Sequence, residues 1–155
     1  MAEPGSGDQP LVGSCLCGAV RFAVDGGVTP LQYCHCRRCQ KVTGGACMAA
    51  VAAPAEALRW TAGAELVRTH LLPVRDEPPA YRNAFCGQCG GPVPIVDPER
   101  PWVVIPAGCF DGAPALRPFR HIFTAHSPAW YPIGDDLPRF PAHVPPAQRL
   151  PNRRE

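Results

Sequence analysis

The sequence predicts one mainly β domain, built from short strands with little helix. Three observations carry that expectation. Proline and glycine number 21 and 15 among 155 residues, and Pro removes a backbone donor while Gly weakens the interior of any regular element. Several segments of strand length alternate or run apolar between Gly and Pro punctuation. Seven of the nine cysteines fall into tight clusters, which suit metal-held turns better than long helices. A chain of this length makes one ordinary domain and buries roughly two-thirds of the surface its unfolded form exposes.

The first ten residues are polar and rich in Gly and Pro, and read as a tail, so the domain is expected to begin at Leu11. Over Gly18 to Asp25, Val20, Phe22 and Val24 fall on one face and Arg21, Ala23 and Asp25 on the other, the period of a half-buried strand. Gly26 and Gly27 end it. Further strands are predicted at Leu31 to Cys36, Ala46 to Ala52, Glu65 to Leu71, Tyr81 to Phe85, Trp102 to Ala107 and Arg120 to Thr124. The run Trp102-Val103-Val104-Ile105, stopped by Pro106, reads as a strand buried on both faces. From Pro141 to Glu155 no hydrophobic period survives, and a Pro- and Arg-rich tail is expected, which leaves residues 11–140 as the domain.

Composition narrows the function. The formal charge is +2 and the basic side chains other than Lys41 are all Arg, so no broad cationic field exists to hold a nucleic-acid backbone. The longest apolar stretch, Cys47 to Leu58, is interrupted by Pro54 and Glu56 and falls short of the ~20 residues that span a bilayer. The opening MAEPGSGDQP has neither a positive n-region nor an apolar h-region, so a reducing, cytoplasmic setting is expected and disulfides are disfavoured.

The clusters are Cys15-x-Cys17, Cys34-His35-Cys36-x-x-Cys39 and Cys86-x-x-Cys89. Residues two apart on an extended strand point to one side, so Cys15 with Cys17, and Cys34 with Cys36, each present two thiolates to one ion while His35 faces away. In Phe85-Cys86-Gly87-Gln88-Cys89-Gly90 the glycines permit the tight backbone of a metal knuckle. Soft thiolates in tetrahedral sets select zinc. Seven ligands divide into a closed set of four, Cys15, Cys17, Cys86 and Cys89, which staples the N-terminal strand to a distant turn, and an open set of three, Cys34, Cys36 and Cys39. Closed zinc sites are structural and open ones can be catalytic. An iron–sulfur cluster and a disulfide framework are the weaker alternatives, the latter opposed by the odd cysteine count.

These motifs, Gly13-Ser14-Cys15-Leu16-Cys17-Gly18, Cys34-His35-Cys36-Arg37-Arg38-Cys39 and Phe85-Cys86-Gly87-Gln88-Cys89-Gly90, resemble the glutathione-dependent formaldehyde-activating enzyme family, which includes the centromere protein V domain. Thr43-Gly44, His121-Ile122-Phe123 and the stretch from Trp130-Tyr131 to Arg139-Phe140 extend the resemblance over about Leu11 to Phe140. It implies a zinc-held β-tent of Mss-four-like type. It also implies two zinc ions per chain, a structural one on Cys15, Cys17, Cys86 and Cys89 and a second on Cys34, Cys36 and Cys39. The implied activity is that of a carbon–sulfur lyase, which makes or cleaves S-(hydroxymethyl)glutathione from glutathione and formaldehyde.

A zinc on Cys34, Cys36 and Cys39 leaves a position for a thiol or a carbonyl oxygen. Three thiolates make that site net negative, which favours thiol exchange over hydroxide formation. Glutathione, the expected co-substrate, carries two carboxylates, and Arg37, Arg38 and Lys41 are the candidates to hold them. Cys47, past Gly44-Gly45, either closes the second site as a fourth ligand or packs as a free thiol; Cys109 is expected to pack. His35 is the foremost histidine, fixed between two ligands; His121 and His126 flank a late strand, and His70 and His143 carry no motif. Trp102, Trp130 and Tyr131 are candidate pocket aromatics, and Asp135-Asp136 reads as a solvated turn. The alternative to an enzyme is a non-catalytic zinc module that binds a protein or a small thiol. Oligomeric state has no signature in the sequence.

Overall fold

In the computed structural model, which describes residues 9–75 and 80–150, nine strands and one α-helix follow in order. They are β1 (Leu11–Ser14), β2 (Arg21–Val24), β3 (Leu31–Cys34), α1 (Arg37–Thr43), β4 (Met48–Pro54), β5 (Leu58–Ala62), β6 (Val67–Leu71), β7 (Arg82–Cys86), β8 (Trp102–Pro106) and β9 (Pro118–Ile122). The strands form three small sheets, β1-β2-β5, β8-β4-β3-β9 and β6-β7. Pairing is antiparallel throughout except between β3 and β9, where Tyr33 lies opposite His121 and Cys34 opposite Ile122. The chain is therefore mainly β and forms a single domain, as its punctuation predicts.

The first two sheets share one core. Phe22 and Val24 of β2 pack with Leu31 of β3, Val51 and Ala53 of β4, Val103 and Ile105 of β8, and Phe110. The β2 alternation is realised: Val20, Phe22 and Val24 are buried while Arg21 and Asp25 are exposed. Ala23 is buried as well, because β5 covers its edge. Gly13 has no room for a side chain, since a Cβ would run into the Phe22 ring and the Cys109 carbonyl.

Only one face of the four-stranded sheet enters that core. Residues of opposite parity, Gln32 and Cys34, Met48, Ala50 and Ala52, Trp102 and Val104, Arg120 and Ile122, floor an open trough on the other face. Alanines at the centre of the floor make it deep. The expectation that β8 is buried on both faces is corrected here: Val103 and Ile105 are buried, but Trp102 and Val104 are only half-buried against the trough.

Two further expectations shift. Helix α1 falls where no helix was predicted, because its N-cap is Cys36, whose Sγ accepts from the Cys39 N–H at 3.3 Å in place of the usual hydroxyl or carboxylate cap. Gly44, in the left-handed region at φ 71°, closes it. The segment from Pro141 does not leave the body of the protein within the described residues: Phe123 N–H bonds to the Ala142 carbonyl, Ala125 N–H to that of Pro141, and Val144 is fully buried. One inserted valine needs no periodicity. Residues 1–8 and 151–155, the ends of the two predicted tails, lie outside the described residues. No helix among the described residues is long and apolar enough to cross a membrane.

Candidate metal centre

Two cysteine clusters assemble, and their membership matches the spacing arithmetic. The Sγ atoms of Cys15, Cys17, Cys86 and Cys89 all lie within 4.8 Å of one another, and so do those of Cys34, Cys36 and Cys39. Sulfurs held about 2.3 Å from a common tetrahedral zinc sit just under 4 Å apart, so both sets fit such an ion.

The four-thiol cluster joins two turns. Cys15 and Cys17 do not share an extended strand as expected. They lie in a turn after β1, closed by the Gly18 N–H on the Cys15 carbonyl at 3.0 Å, and exposed Leu16 sits at its tip. That turn brings their sulfurs to 3.6 Å. Cys86 ends β7 and Cys89 follows in the next turn. Backbone N–H groups point at the sulfurs: Val20 at Cys15 (3.3 Å), Gln88 at Cys86 (3.4 Å) and Gly91 at Cys89 (3.4 Å). Burial raises the Cys15 thiol, but the Val20 N–H and the neighbouring thiols outweigh it and lower it to about 6. Cys17 is pushed up in response, to about 11. Cys89 is lowered as well, first by the Gly91 N–H, so thiolate formation is favoured at two of the four sulfurs and opposed at Cys17, a competition that a bound cation would relieve. Cys15 and Cys86 are buried beside Val20, Ala84 and Val93, while Cys89 is half-buried and Cys17 faces solvent.

The three-thiol cluster stands at one end of the trough. Cys34 is the last residue of β3, Cys36 caps α1 and Cys39 lies on its first turn. Hydrogen bonding from Cys34 and Cys39 lowers Cys36, while Cys36 and Cys39 push Cys34 well up. Cys47 is not part of the group, so no fourth thiol closes it among the described residues; burial merely raises its thiol. Tyr81 Oη lies 3.6 Å from Cys39 Sγ. Burial and the Cys39 charge push the Tyr81 phenol up, which keeps it protonated and a donor. Cys109 packs as expected, with its Sγ donating to the Pro92 carbonyl at 3.2 Å.

The trough above the triplet encloses a cavity of about 710 Å³. Of the three cationic side chains expected to hold a ligand carboxylate, Arg38 alone lines it. Arg37 and Lys41, four residues apart, share the outer face of α1 and are exposed; the Arg37 guanidinium donates to Gln40 Oε1 instead. Arg38 leans over the Tyr81 ring, 5.8 Å from its centroid, and donates to the Pro73 carbonyl at 3.0 Å. The cavity wall also carries Arg82, Arg100 and Arg120, which sequence reasoning missed because they are scattered singly along the chain. Trp102 lines the cavity, whereas Trp130 and Tyr131 stand exposed outside it.

His35 faces away from the triplet, as strand geometry predicts, and is fully buried. Its Nε2 lies 2.8 Å from His121 Nδ1, and His121 Nε2 lies 3.0 Å from the Asp135 carboxylate. Asp135 is solvent-exposed, as its reading as a solvated turn expects, but it is also held in place: the Leu137 N–H and His121 bond its carboxylate and lower its pKa. Tyr33 stacks on His121 with centroids 4.9 Å apart. The His35 N–H bonds to the Ile122 carbonyl, and its own carbonyl accepts from Gln40 Nε2 at 2.7 Å. The chain His35–His121–Asp135 is thus a buttress behind Cys34 and Cys36 rather than a wall of the cavity. His126 and His70 are exposed, and His143 lies at the cavity wall.

The comparisons agree with this construction. The family model described as glutathione-dependent formaldehyde-activating enzyme matches residues 10–126. A Halomonas elongata protein, provisionally named a glutathione-dependent formaldehyde-activating enzyme, is 32% identical over 130 residues, which cover 79% of this chain and 80% of that protein. A crystal structure of a Rhodobacter sphaeroides protein shares the fold, with a TM-score of 0.52 at 23% identity over 66% of this chain and 89% of the other. The two cysteine clusters fall within the matched region, and on that match the chain belongs to the glutathione-dependent formaldehyde-activating enzyme family.

Proposed function

We propose that the protein is a zinc-dependent carbon–sulfur lyase that forms and cleaves the adduct of glutathione with an aldehyde, of the S-(hydroxymethyl)glutathione synthase type. The observation that carries this reading is the unequal make-up of two thiol clusters: one has four sulfurs, none of which lines the trough, and the other has three that open onto its cavity with an arginine beside them. Zinc on Cys34, Cys36 and Cys39 would supply a Lewis-acidic position able to exchange a thiol. In the forward direction the glutathione S–H adds across the aldehyde C=O, the S–C bond forms, and the proton ends on the former carbonyl oxygen. The protonated Tyr81 hydroxyl stands where it can donate to that oxygen or to the sulfur as charge develops. Arg38 supplies a fork for one glutathione carboxylate. Arg37 and Lys41 fit that role less well, since both are exposed and neither lines the cavity.

Zinc counting by native mass spectrometry, before and after glutathione is added, tests the reading. Two ions per chain are expected, one of them lost or carrying a glutathione adduct. Exchange between formaldehyde and its glutathione adduct, followed by magnetisation transfer, should exceed the spontaneous rate and return to it in Cys39→Ser. Two ions indifferent to glutathione, with no rate enhancement, would instead indicate a non-catalytic zinc module.

A further inference from the structure

Formaldehyde has two heavy atoms, yet the cavity is of the size that takes a drug-like ligand. Its length is set by strand register. Cys34 lies opposite Met48 at one end of β4, and Trp102 opposite Pro54 at the other. Six residues at about 3.3 Å each put those two levels about 20 Å apart. A tripeptide held by its central sulfur reaches only about 10 Å along an extended backbone. Glutathione at the triplet therefore comes within range of Arg38, and of Arg120 one step along the sheet opposite Gln32, but not of the Trp102 end.

That distant end is built for an anion. Arg100 stacks on Trp102, its guanidinium 4.5 Å from the ring centroid. Arg100 and Arg82 converge on Asp97 at 3.4 and 3.8 Å, so two guanidiniums share one carboxylate. Asp97 is the one acidic residue lining the cavity among the described residues. Arg82 Nε is buried without a hydrogen-bond partner, and Arg100 Nε has no partner but the 3.4 Å ion pair with Asp97; folded proteins rarely leave a buried donor unpartnered unless a ligand supplies the acceptor. Burial and the neighbouring Arg82 hold Arg100 below the usual arginine range, so an added negative charge would relieve it. Between this end and the thiols the β4 and β8 part of the floor is Met48, Ala50, Ala52 and Val104, all apolar, while Gln32 beside it on β3 accepts from Arg120.

We propose that Arg82, Arg100 and Trp102 form an anion subsite for the distal carboxylate of a long-chain aldehyde, whose carbonyl end meets the thiol at Cys34, Cys36 and Cys39 and whose apolar chain lies on the alanine floor. This deepens the reading of the triplet as the site of glutathione–aldehyde chemistry and rests on it for the orientation of the ligand. A chain of about twelve carbons, gaining roughly 1.3 Å per C–C bond, spans the trough once the reach of the arginines is included.

The test uses the zinc-loaded full chain and two glutathione thioethers, S-(11-carboxyundecyl)glutathione and S-dodecylglutathione, with affinities measured by calorimetry. The carboxylated probe should bind at least about tenfold more tightly, as charge-assisted pairing to two arginines implies. That advantage should collapse to about twofold or less in Arg82→Gln and in Arg100→Gln, while both variants keep the wild-type affinity for glutathione itself. Equal affinity of the two probes for wild type, or an advantage that persists in both variants, would overturn the subsite. If one variant fails to fold, the other decides. If glutathione fails to bind at all, the thiol reading falls, and the subsite is judged by dodecanoate against its methyl ester on the same proteins, with the same ratio expected.

Discussion

Replacing Cys86 with Ser isolates what the four-thiol cluster contributes. Cys86 is fully buried, and together with Cys89 it ties the turn after β7 to the turn that holds Cys15 and Cys17. The shortest chain closed by this clip runs from Cys17 to Cys86, a loop of about seventy residues. The chain-entropy relation for a cross-link of that span gives about 4 kcal/mol at 25 °C. That is a large part of the 5–15 kcal/mol that typically holds a domain folded. At roughly 2–4 °C per kcal/mol for a chain of this length, the zinc-loaded variant should melt about 10 °C or more below wild type by circular dichroism. A chelator should lower the wild-type melt in the same way and move the variant less. Cys109→Ser is the control: it is also buried, but it makes a single bond to the Pro92 carbonyl and should cost only about 1 kcal/mol. An unchanged melt for Cys86→Ser, or a wild-type melt that ignores the chelator, would refute the assignment of this cluster as a structural metal clip.

Two further outcomes follow from packing and buried polarity. His121→Ala leaves the buried His35 Nε2 without its partner, while the exposed Asp135 carboxylate turns to water, and should cost about 1–3 kcal/mol by denaturant midpoint; a loss under about 0.5 kcal/mol would show the buttress to be idle. Gly13→Ala drives a methyl into the Phe22 ring and the Cys109 carbonyl, and should cost about 1–3 kcal/mol, whereas a neutral result would mean that β1 can shift freely on the core.

What the sequence reveals depends on the range over which each signal acts. Cysteine spacing is local chemistry, so the membership of both clusters is legible, as is β2, whose Val20, Phe22 and Val24 alternate cleanly. Helix α1 is hidden because a thiol, not a hydroxyl, caps it. Strand β1 carries Gly13 in its interior and β5 exposes Arg59, Thr61 and Ala62, so neither shows a strand's usual pattern; each is held in place by β2. The His35–His121–Asp135 chain joins residues 86 and 14 positions apart, with no local motif to announce it. The trough is hidden for a related reason. Ala50 and Ala52 look like ordinary small residues until the register aligns them with Gln32 and Val104 across one face.

The two cysteine clusters also differ in how much chain must exist before they can form. Cys34, Cys36 and Cys39 sit within six consecutive residues at the start of a single helix, so a nascent chain carries the whole triplet once a quarter of it has been made. The four-thiol cluster waits for Cys89, and the parallel partner of β3 waits for residues 118–122. Metal can therefore be captured at the triplet long before the sheet behind it is complete, while the four-thiol cluster closes late, as a long-range contact that slows folding. On the proposed assignment, the site of chemistry would be the early collector of metal during synthesis, and the site of stability the late lock.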